Sequence, residues 1–591
     1  MQLPVSAIAV SAAIGVLVVA GAYTAGRLGH ASSAWADSAY WLGQVLILVP
    51  AAARLLSRRV LTAGETMTLV IVLTVAEYLV MICYSPAAFS YVDELQHWRS
   101  TMNVLQTGRL FSVNYLLPIS PRYPGLEEVT SALASVSGLS VFTSGLIIAA
   151  VAHLLFVCVL YLLFREVSGS YRIAGVAVLC YASNSHFDSF DSMFIYQTLA
   201  LPFLALTLLA AWRLASGRIA GQRARWLALA VLTIAATVVT HHVTSYVLPV
   251  ALLVITVAAL LTGNRRAAAW PAVLALMSSA AAAGWLVSAA PQTWSYLQPF
   301  ADLTVQSIRA LLAGGHSSAP PTSGGPPGDQ LLGAAAVLIV SALLPVGWWQ
   351  VWRRYRGQPW TVAMAILSAS WYVLVAVRLT VTDGSELAGR AATFTFIPAA
   401  YIVALAIGHL AGIAVRWQAR AVAAAVLVVL LMLMFDGLAN GWPPYWERLP
   451  GAYQVAGSER SVEPEVIDGA RWTLAALGPG NQFAADFGSY PVLGSYGDQN
   501  PLRNVAYLYT SPVYSQSDTL RAQAQALRFV WVDSRLSKSL PAYGQYFPVD
   551  PRAGKYTHPL PAADLDKFNH VPGVGRIYDS GNIVIYELPG T

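Results

Sequence analysis

"MTLVIVLTVAEYLVMICYSPAAFSYVDELQHWRS", residues 67–100, joins two kinds of polymer. Its first half is apolar apart from one acid, Glu77, and its second half packs Asp93, Glu94, His97, Trp98 and Arg99 close together. A helix that crosses a bilayer needs roughly 20 predominantly apolar residues, and the run at 66–84 supplies them. Charged side chains are costly in hydrocarbon, so 93–99 must lie outside it. The stretch reads as a membrane span that delivers an acidic pair to a water-facing surface. The fold depends on how often the first half recurs, and the function on which surface receives the second.

The apolar pattern recurs up to about residue 437. Of 591 residues, 56% are hydrophobic and 11% charged, with a mean hydropathy of +0.56. Soluble domains carry about 25% charged residues, so this chain lacks the charge to cover a water-soluble surface of its size. Thirteen spans are expected, at about 5–25, 39–56, 66–84, 141–164, 173–184, 195–212, 226–241, 243–262, 268–290, 331–350, 360–379, 391–415 and 420–437. The fifth is among the shortest. The first lacks a basic leader and exceeds the ~7–15 residues of a signal core, so it reads as an uncleaved span. Cys83, Cys158 and Cys180 lie in or beside apolar segments without ligand spacing, so neither a disulfide framework nor a zinc site is expected. The net charge of +6 is scattered between spans, which is a topology pattern rather than a nucleic-acid footprint.

Basic residues cluster after every second span. The clusters are Arg54, Arg58 and Arg59; Arg165 and Arg172; Arg213, Arg218, Arg223 and Arg225; Arg265 and Arg266; Arg353, Arg354 and Arg356; Arg416 and Arg420. Cytoplasmic loops carry the excess of Lys and Arg. The expected orientation is therefore a cytoplasmic N-terminus in a plasma (inner) membrane, with an extracytoplasmic tail. The outer segments are then 85–140, "SNSHFDSFDSMF" (183–194), "HHVTSY" (241–246), a Pro/Gly/Ser-rich loop at 291–330, and "VTDGSELAGR" (381–390).

The tail changes in composition. "EPEVIDGARWTLAAL" reads as a helix closed by Gly478. "FVWVDSRL" (529–536) reads as a strand, and "GRIYDSGNIVIYEL" (575–588) as a hairpin turning at Ser580-Gly581-Asn582. The expected architecture is a polytopic α-helical membrane domain over 1–437 and an extracytoplasmic α/β domain over 438–591.

A carboxylate pair on an outer segment just past a span suits one recurring chemistry. Sugar transfer from a lipid-phosphate donor needs a base for the acceptor hydroxyl and groups that fix the departing phosphate. Such donors keep their head groups at the membrane surface, where Asp93 or Glu94 stands. The competing reading is an acidic first turn that simply offsets the N-terminal end of a helix.

"SYVDELQHWRSTMNVLQTGRLFSVNYLLPISPRYPGLEEVTSAL" resembles the first outer loop of GT-C glycosyltransferases, in the branch of protein O-mannosyltransferases and aminoarabinose transferases. The shared elements are the pair Asp93-Glu94, the helix-ending Gly108, and Tyr123-Pro124-Gly125-Leu126. "CYASNSHFDSFDSMFIYQTLALPFLAL" is similar to that family's break before a long span, although Tyr196-Gln197 stand where the branch often has an Asp. The likeness covers roughly 66–215. It implies transfer from a polyprenyl-phosphate sugar to an outer-face envelope acceptor (glycan, lipid or protein), with Asp93 as catalytic carboxylate and Glu94 in support.

Other residues are weighed beside these. His97 and Arg99 would bind donor phosphate or be wet residues on an interfacial helix, and Trp98 would anchor that helix at the interface. Arg122 would touch donor or acceptor. Asp188 and Asp191, three apart, would share a helix face and join a divalent cation (Mg or Mn), or else cap a solvated turn. His242, beside His241, would meet sugar or phosphate, or merely add interface polarity. Arg390 would clamp the donor phosphate bidentately or pair with Glu386. Glu77, inside a span, would pair structurally or form part of a site. Walker-type and nucleophile-elbow motifs are absent, so neither ATP-driven transport nor Ser-hydrolase chemistry is supported. The rivals to transfer are a transporter or flippase for a lipid-linked sugar and a non-catalytic envelope scaffold.

Overall fold

The computed structural model describes residues 4–30, 32–57, 60–217, 220–312, 326–380, 384–417 and 419–589. Among them, twelve helices are long and apolar enough to cross a membrane. They are M1 (Val5–His30), M2 (Ala34–Leu56), M3 (Ala63–Tyr84), M4 (Val141–Ser168), M5 (Tyr196–Ser216), M6 (Arg223–Thr240), M7 (His242–Leu261), M8 (Arg265–Ser288), M9 (Pro327–Tyr355), M10 (Pro359–Leu379), M11 (Ala388–Gly412) and M12 (Ala421–Ala439). The chain is a multi-pass membrane protein. Its other helices are α1 (Val92–Thr107), α2 (Gly125–Ser137), α3 (Tyr171–Ala182), α4 (Gln292–Leu312), α5 (Pro464–Leu477), α6 (Ser489–Ser495), α7 (Gln516–Ala524) and α8 (Ala562–Asp566).

The chain divides into two compact units. One comprises residues 1–26, 31–84 and 146–449; the other comprises 27–30, 85–145 and 450–591. The segment 85–145, which carries α1 and α2, thus folds with the tail rather than with the helical bundle.

In the bundle unit, the twelve long helices match twelve of the thirteen expected spans, and the fifth falls on the short helix α3. Its 12 residues reach only about 18 Å, short of a ~30 Å hydrocarbon layer. Two contacts show how the crossing is completed. Ile173 lies 3.9 Å from where a Cβ on Gly408 of M11 would sit, and His186 lies 3.6 Å from the same point on Gly389. Between those glycines M11 rises roughly 28 Å. The buried turns after α3 therefore finish the crossing that the helix begins. The expected loop at 291–330 contains a helix, α4, while 313–325 lie outside the described residues.

The other unit holds a five-stranded sheet in the order β2-β1-β3-β5-β4, with β1 Gln482–Ala484, β2 Asn500–Leu502, β3 Phe529–Asp533, β4 Gly575–Asp579 and β5 Ile583–Glu587. β1 pairs parallel with β2 and β3, and β5 antiparallel with β3 and β4. Every residue of β3 is buried, which explains its unbroken run of large side chains. Its last residue, Asp533, is paired by Arg535 (2.8 Å) and Tyr453 (2.8 Å), as a buried carboxylate must be. The expected helix at α5 and the hairpin turn over 580–582 both form.

Candidate functional site

α1 begins directly after an extended Tyr91 and carries Asp93 and Glu94 in its first turn, where carboxylates offset the helix's N-terminal partial charge. Gly108 ends it in the left-handed region at φ 64°, which only glycine adopts freely. The two acids differ: Asp93 is partly open, whereas Glu94 is 2% exposed and acts electrostatically on Tyr496.

The rest of α1 is a buried frame. His97 Nδ1 lies 2.8 Å from Glu127 Oε1 of α2, and both side chains are 1% exposed. Arg99 donates to Asn103 Oδ1 (2.5 Å), Gln106 Oε1 (3.0 Å) and the Ser495 carbonyl (3.4 Å), with Asp498 3.8 Å away. Burial pushes the Arg99 guanidinium below its ordinary value, with Asp498 opposing. Neither residue is wet, contrary to one expectation, and their partners hold α1 against α2 and the tail. Trp98 packs against the Tyr496 ring in a tilted contact with centroids 4.5 Å apart, so it is a packing residue of this unit. Asn114 shapes the following loop, donating to the Gln96 carbonyl (2.8 Å) and Ser100 Oγ (2.9 Å). Arg122 sits over the Phe111 ring at 5.6 Å.

In the bundle unit a second polar cluster surrounds the N-terminal turns of M11. Burial pulls the His186 imidazole down to about 4, with the nearby Arg390 charge adding to it. Arg390 also acts electrostatically on His242. His242 stands at the head of M7, with ring neighbours His241 (4.9 Å), Tyr196 (5.5 Å) and Tyr296 of α4 (5.4 Å). The Glu386 side chain lies outside the described residues.

One turn along M11, Thr393 donates to Asp191 Oδ1 (2.9 Å). Gln197 donates to the same oxygen (3.3 Å), and Tyr181 to Oδ2 (2.6 Å). Gln197, which stands where the resembling family often has an acid, therefore serves as a donor. Asp188 and Asp191 lie in turns, not on a helix face. Both oxygens of Asp191 are occupied by donors, and no group of three or more His, Cys, Asp or Glu fit to hold a metal occurs among the described residues. These side chains do not suit the expected divalent cation.

Burial pushes the Asp188 carboxyl up to about 7 from 3.8, with the Asp191 charge adding to it. Between about pH 4 and 7 the folded state then binds more protons than the unfolded one, so stability falls as pH rises through that window. Asp188→Asn removes the penalty. It is expected to stabilise the protein by on the order of 1–3 kcal/mol at pH 8, with the gain shrinking toward pH 4. Thermal melts of both proteins at pH 5 and 8 check this; an equal difference at the two pH values would contradict it.

An apolar cavity of about 170 Å³ opens beside the same helix, lined from M11 by Phe394, Thr395, Ile397 and Pro398, and from M5, M7 and M10 by residues such as Leu204, Val250 and Leu367. Phe394 is one helical turn from Arg390, so a cation and an apolar recess neighbour each other on M11. Sequence reasoning singled out Arg390 and His242 through their outer-end positions. It missed Thr393, Tyr181 and Glu127, which are ordinary residues until the fold brings them to a buried partner.

No protein-family model matches the chain, and no curated protein does. Among solved structures, the chain is similar to an Archaeoglobus fulgidus oligosaccharyltransferase in complex with Zn and sulfate. That likeness has 12% identity and a TM-score of 0.48, and covers 79% of this chain and 68% of the other. It is also similar to Cupriavidus metallidurans ArnT bound to undecaprenyl phosphate, at 14% identity and TM-score 0.48 over 89% and 98% of the two chains. For apo ArnT the values are 13% and 0.45 over the same shares. At such identities and scores no residue role passes from those proteins to this one.

Proposed function

We propose that the chain is a GT-C-type membrane glycosyltransferase that moves a sugar from a polyprenyl-phosphate donor to an extracytoplasmic envelope acceptor. The observation that carries this reading is the partly open Asp93 beside the buried Glu94, on a polar helix that starts eight residues after M3 ends. A base held there by a rigid frame meets substrates whose reactive groups sit at the membrane surface. The charge clusters support the orientation expected from the sequence, with the N-terminus cytoplasmic and the tail outside.

In the reaction, an acceptor hydroxyl oxygen bonds to the anomeric carbon while the bond from that carbon to the donor phosphate oxygen breaks. Asp93 takes the hydroxyl proton, and the polyprenyl phosphate leaves as a monoester. Within the bundle unit, Arg390 offers a lipid phosphate the guanidinium fork that suits it, and the apolar cavity one turn away suits a hydrocarbon chain. Asp188 and Asp191 have no metal role in this reading. The test is movement of label from a panel of radiolabelled polyprenyl-phosphate sugars into envelope extract, by purified protein in lipid with and without chelator. Donor that binds and stays chemically intact in every case would overturn the proposal.

One observation favours transport instead. Glu77 of M3 is 2% exposed, would accept from Gln44 at 3.1 Å with the Gln44 amide turned to present its nitrogen, and interacts electrostatically with Asp188, an arrangement that suits proton coupling. Under the transferase reading, Glu77→Gln keeps sugar transfer within about threefold, since a neutral amide can still pair with Gln44. Movement of intact donor between leaflets that Glu77→Gln abolishes would point to proton coupling.

A further inference from the structure

The sheet of the tail unit brings two carboxylates together in its core. β1 lies between β2 and β3 and runs parallel to both. The chain leaves β1 toward β2 and leaves β3 toward the other edge, and such a parting of parallel strands is where these sheets place functional groups. Asp486 stands two residues past the end of β1, and Asp533 is the last residue of β3. Both are 0% exposed.

The two acids are served unequally. Asp533 has Arg535 and the Tyr453 hydroxyl. Asp486 accepts from the Gly488 and Ser489 backbone N–H groups at 2.9 and 3.0 Å, both on Oδ1. Among the described residues its buried Oδ2 has no hydrogen-bond partner. The Ser489 hydroxyl is near enough to act on the carboxyl without bonding that oxygen. The other titratable groups facing Asp486 are Asp533, Tyr453 and Tyr509, the two tyrosines raised by burial and then by the Asp486 charge. The nearby cation, Arg535, is committed to Asp533 and Glu463. An ionised oxygen buried in this way is costly. A single free oxygen suits a proton, and the hydroxyl so formed becomes a donor, with the Ser489 oxygen at hand to accept.

That proton bears on the rest of the unit through α6. Gly488 and Ser489 lead into α6, and its far end meets α1. The Ser495 carbonyl accepts from Arg99 at 3.4 Å, and Tyr496 packs against Trp98. A Cβ on Gly494 would collide with Leu116. A further acid follows α6: Asp498, which faces Arg99 at 3.8 Å and is pushed up by burial while Arg99 pulls it down.

We propose that Asp486 is a proton-operated clamp: in mildly acid surroundings its Oδ2 takes a proton from solvent and donates it to the Ser489 hydroxyl, which fixes α6 and, through α6, α1. Burial first, and the Asp533 charge second, push the Asp486 carboxyl up to about 6 from 3.8. Between about pH 4 and 6 the folded state therefore binds more protons than the unfolded one, and stability falls as pH rises through that window. The clamp does not rest on the transferase reading; under that reading it sets how firmly the Asp93 helix is held.

The test is hydrogen–deuterium exchange of the full-length protein at pH 5.0 and 7.5, with protection corrected for the intrinsic pH dependence of amide exchange. In the wild type, amides of α6 and α1 are expected to be about three- to tenfold better protected at pH 5.0, the ratio that a shift from 3.8 to about 6 allows. Asp486→Asn is neutral at both pH values and still donates, so its protection should be equal at both. Ser489→Ala removes the acceptor and should cut the wild-type ratio by about half or more. Equal protection at the two pH values in the wild type would overturn the proposal without any variant. A full response surviving in Asp486→Asn would also overturn it and assign the effect to Asp498. An undiminished response in Ser489→Ala would overturn the link from Asp486 to α6.

Discussion

Asp93→Asn is expected to lower turnover by about 10²–10⁴-fold, the usual worth of a positioned general base, while donor affinity changes by no more than a few-fold. Asn fills the same space, so the frame made by His97–Glu127 and Arg99 with Asn103, Gln106 and Ser495 stays in place. The structural cost is the lost favourable interaction of one carboxylate with a helix N-terminus, about 0.3–1 kcal/mol. Glu94→Gln should cost less turnover, because Glu94 is 2% exposed and faces Tyr496 rather than solvent. Separate measurement of kcat and donor binding checks both. An Asn variant with full turnover would leave the acidic pair with only its helix-capping role.

Arg390→Gln carries the second large effect. A hydrogen bond to a charged group is worth roughly 1.5–3 kcal/mol, so kcat/KM for the lipid donor is expected to fall by about 10–150-fold. Arg390→Lys should recover part of this, since charge returns without the bidentate fork. A physical readout accompanies the kinetic one. His186 is held at about 4 by burial first and by Arg390 second, so removing the charge should raise its titration point only in part. Histidine NMR of both variants would detect that shift. Unchanged kinetics together with an unchanged His186 would mean that Arg390 touches neither donor nor cluster.

How far the chain could be read in advance differs by element. The spans were legible because hydrocarbon length is a one-dimensional property, and α1 was legible because acids open it and Gly108 closes it. The fifth crossing was only half legible. Length alone shows that α3 is short, but not that buried turns ending near His186 complete it. β1 and β2 have three residues each, too few for any alternation to register. Burial of charge was the least visible property. His97 and Arg99 look like surface residues because Glu127 lies 30 positions away and Ser495 lies 396 away. Thr393 reaches Asp191 across 202 positions, so the turns at 188–191 looked like an open acidic pair rather than one with its inner member sealed by donors.

The most direct measurement follows one radiolabelled polyprenyl-phosphate sugar through two fates in proteoliposomes: cleavage of its glycosyl–phosphate bond, and its leaflet. The account predicts that wild-type protein, given an acceptor extract, converts the donor to free polyprenyl phosphate without moving intact donor between leaflets, and that Asp93→Asn does neither. Intact donor crossing from one leaflet to the other, with the bond uncut, would contradict it.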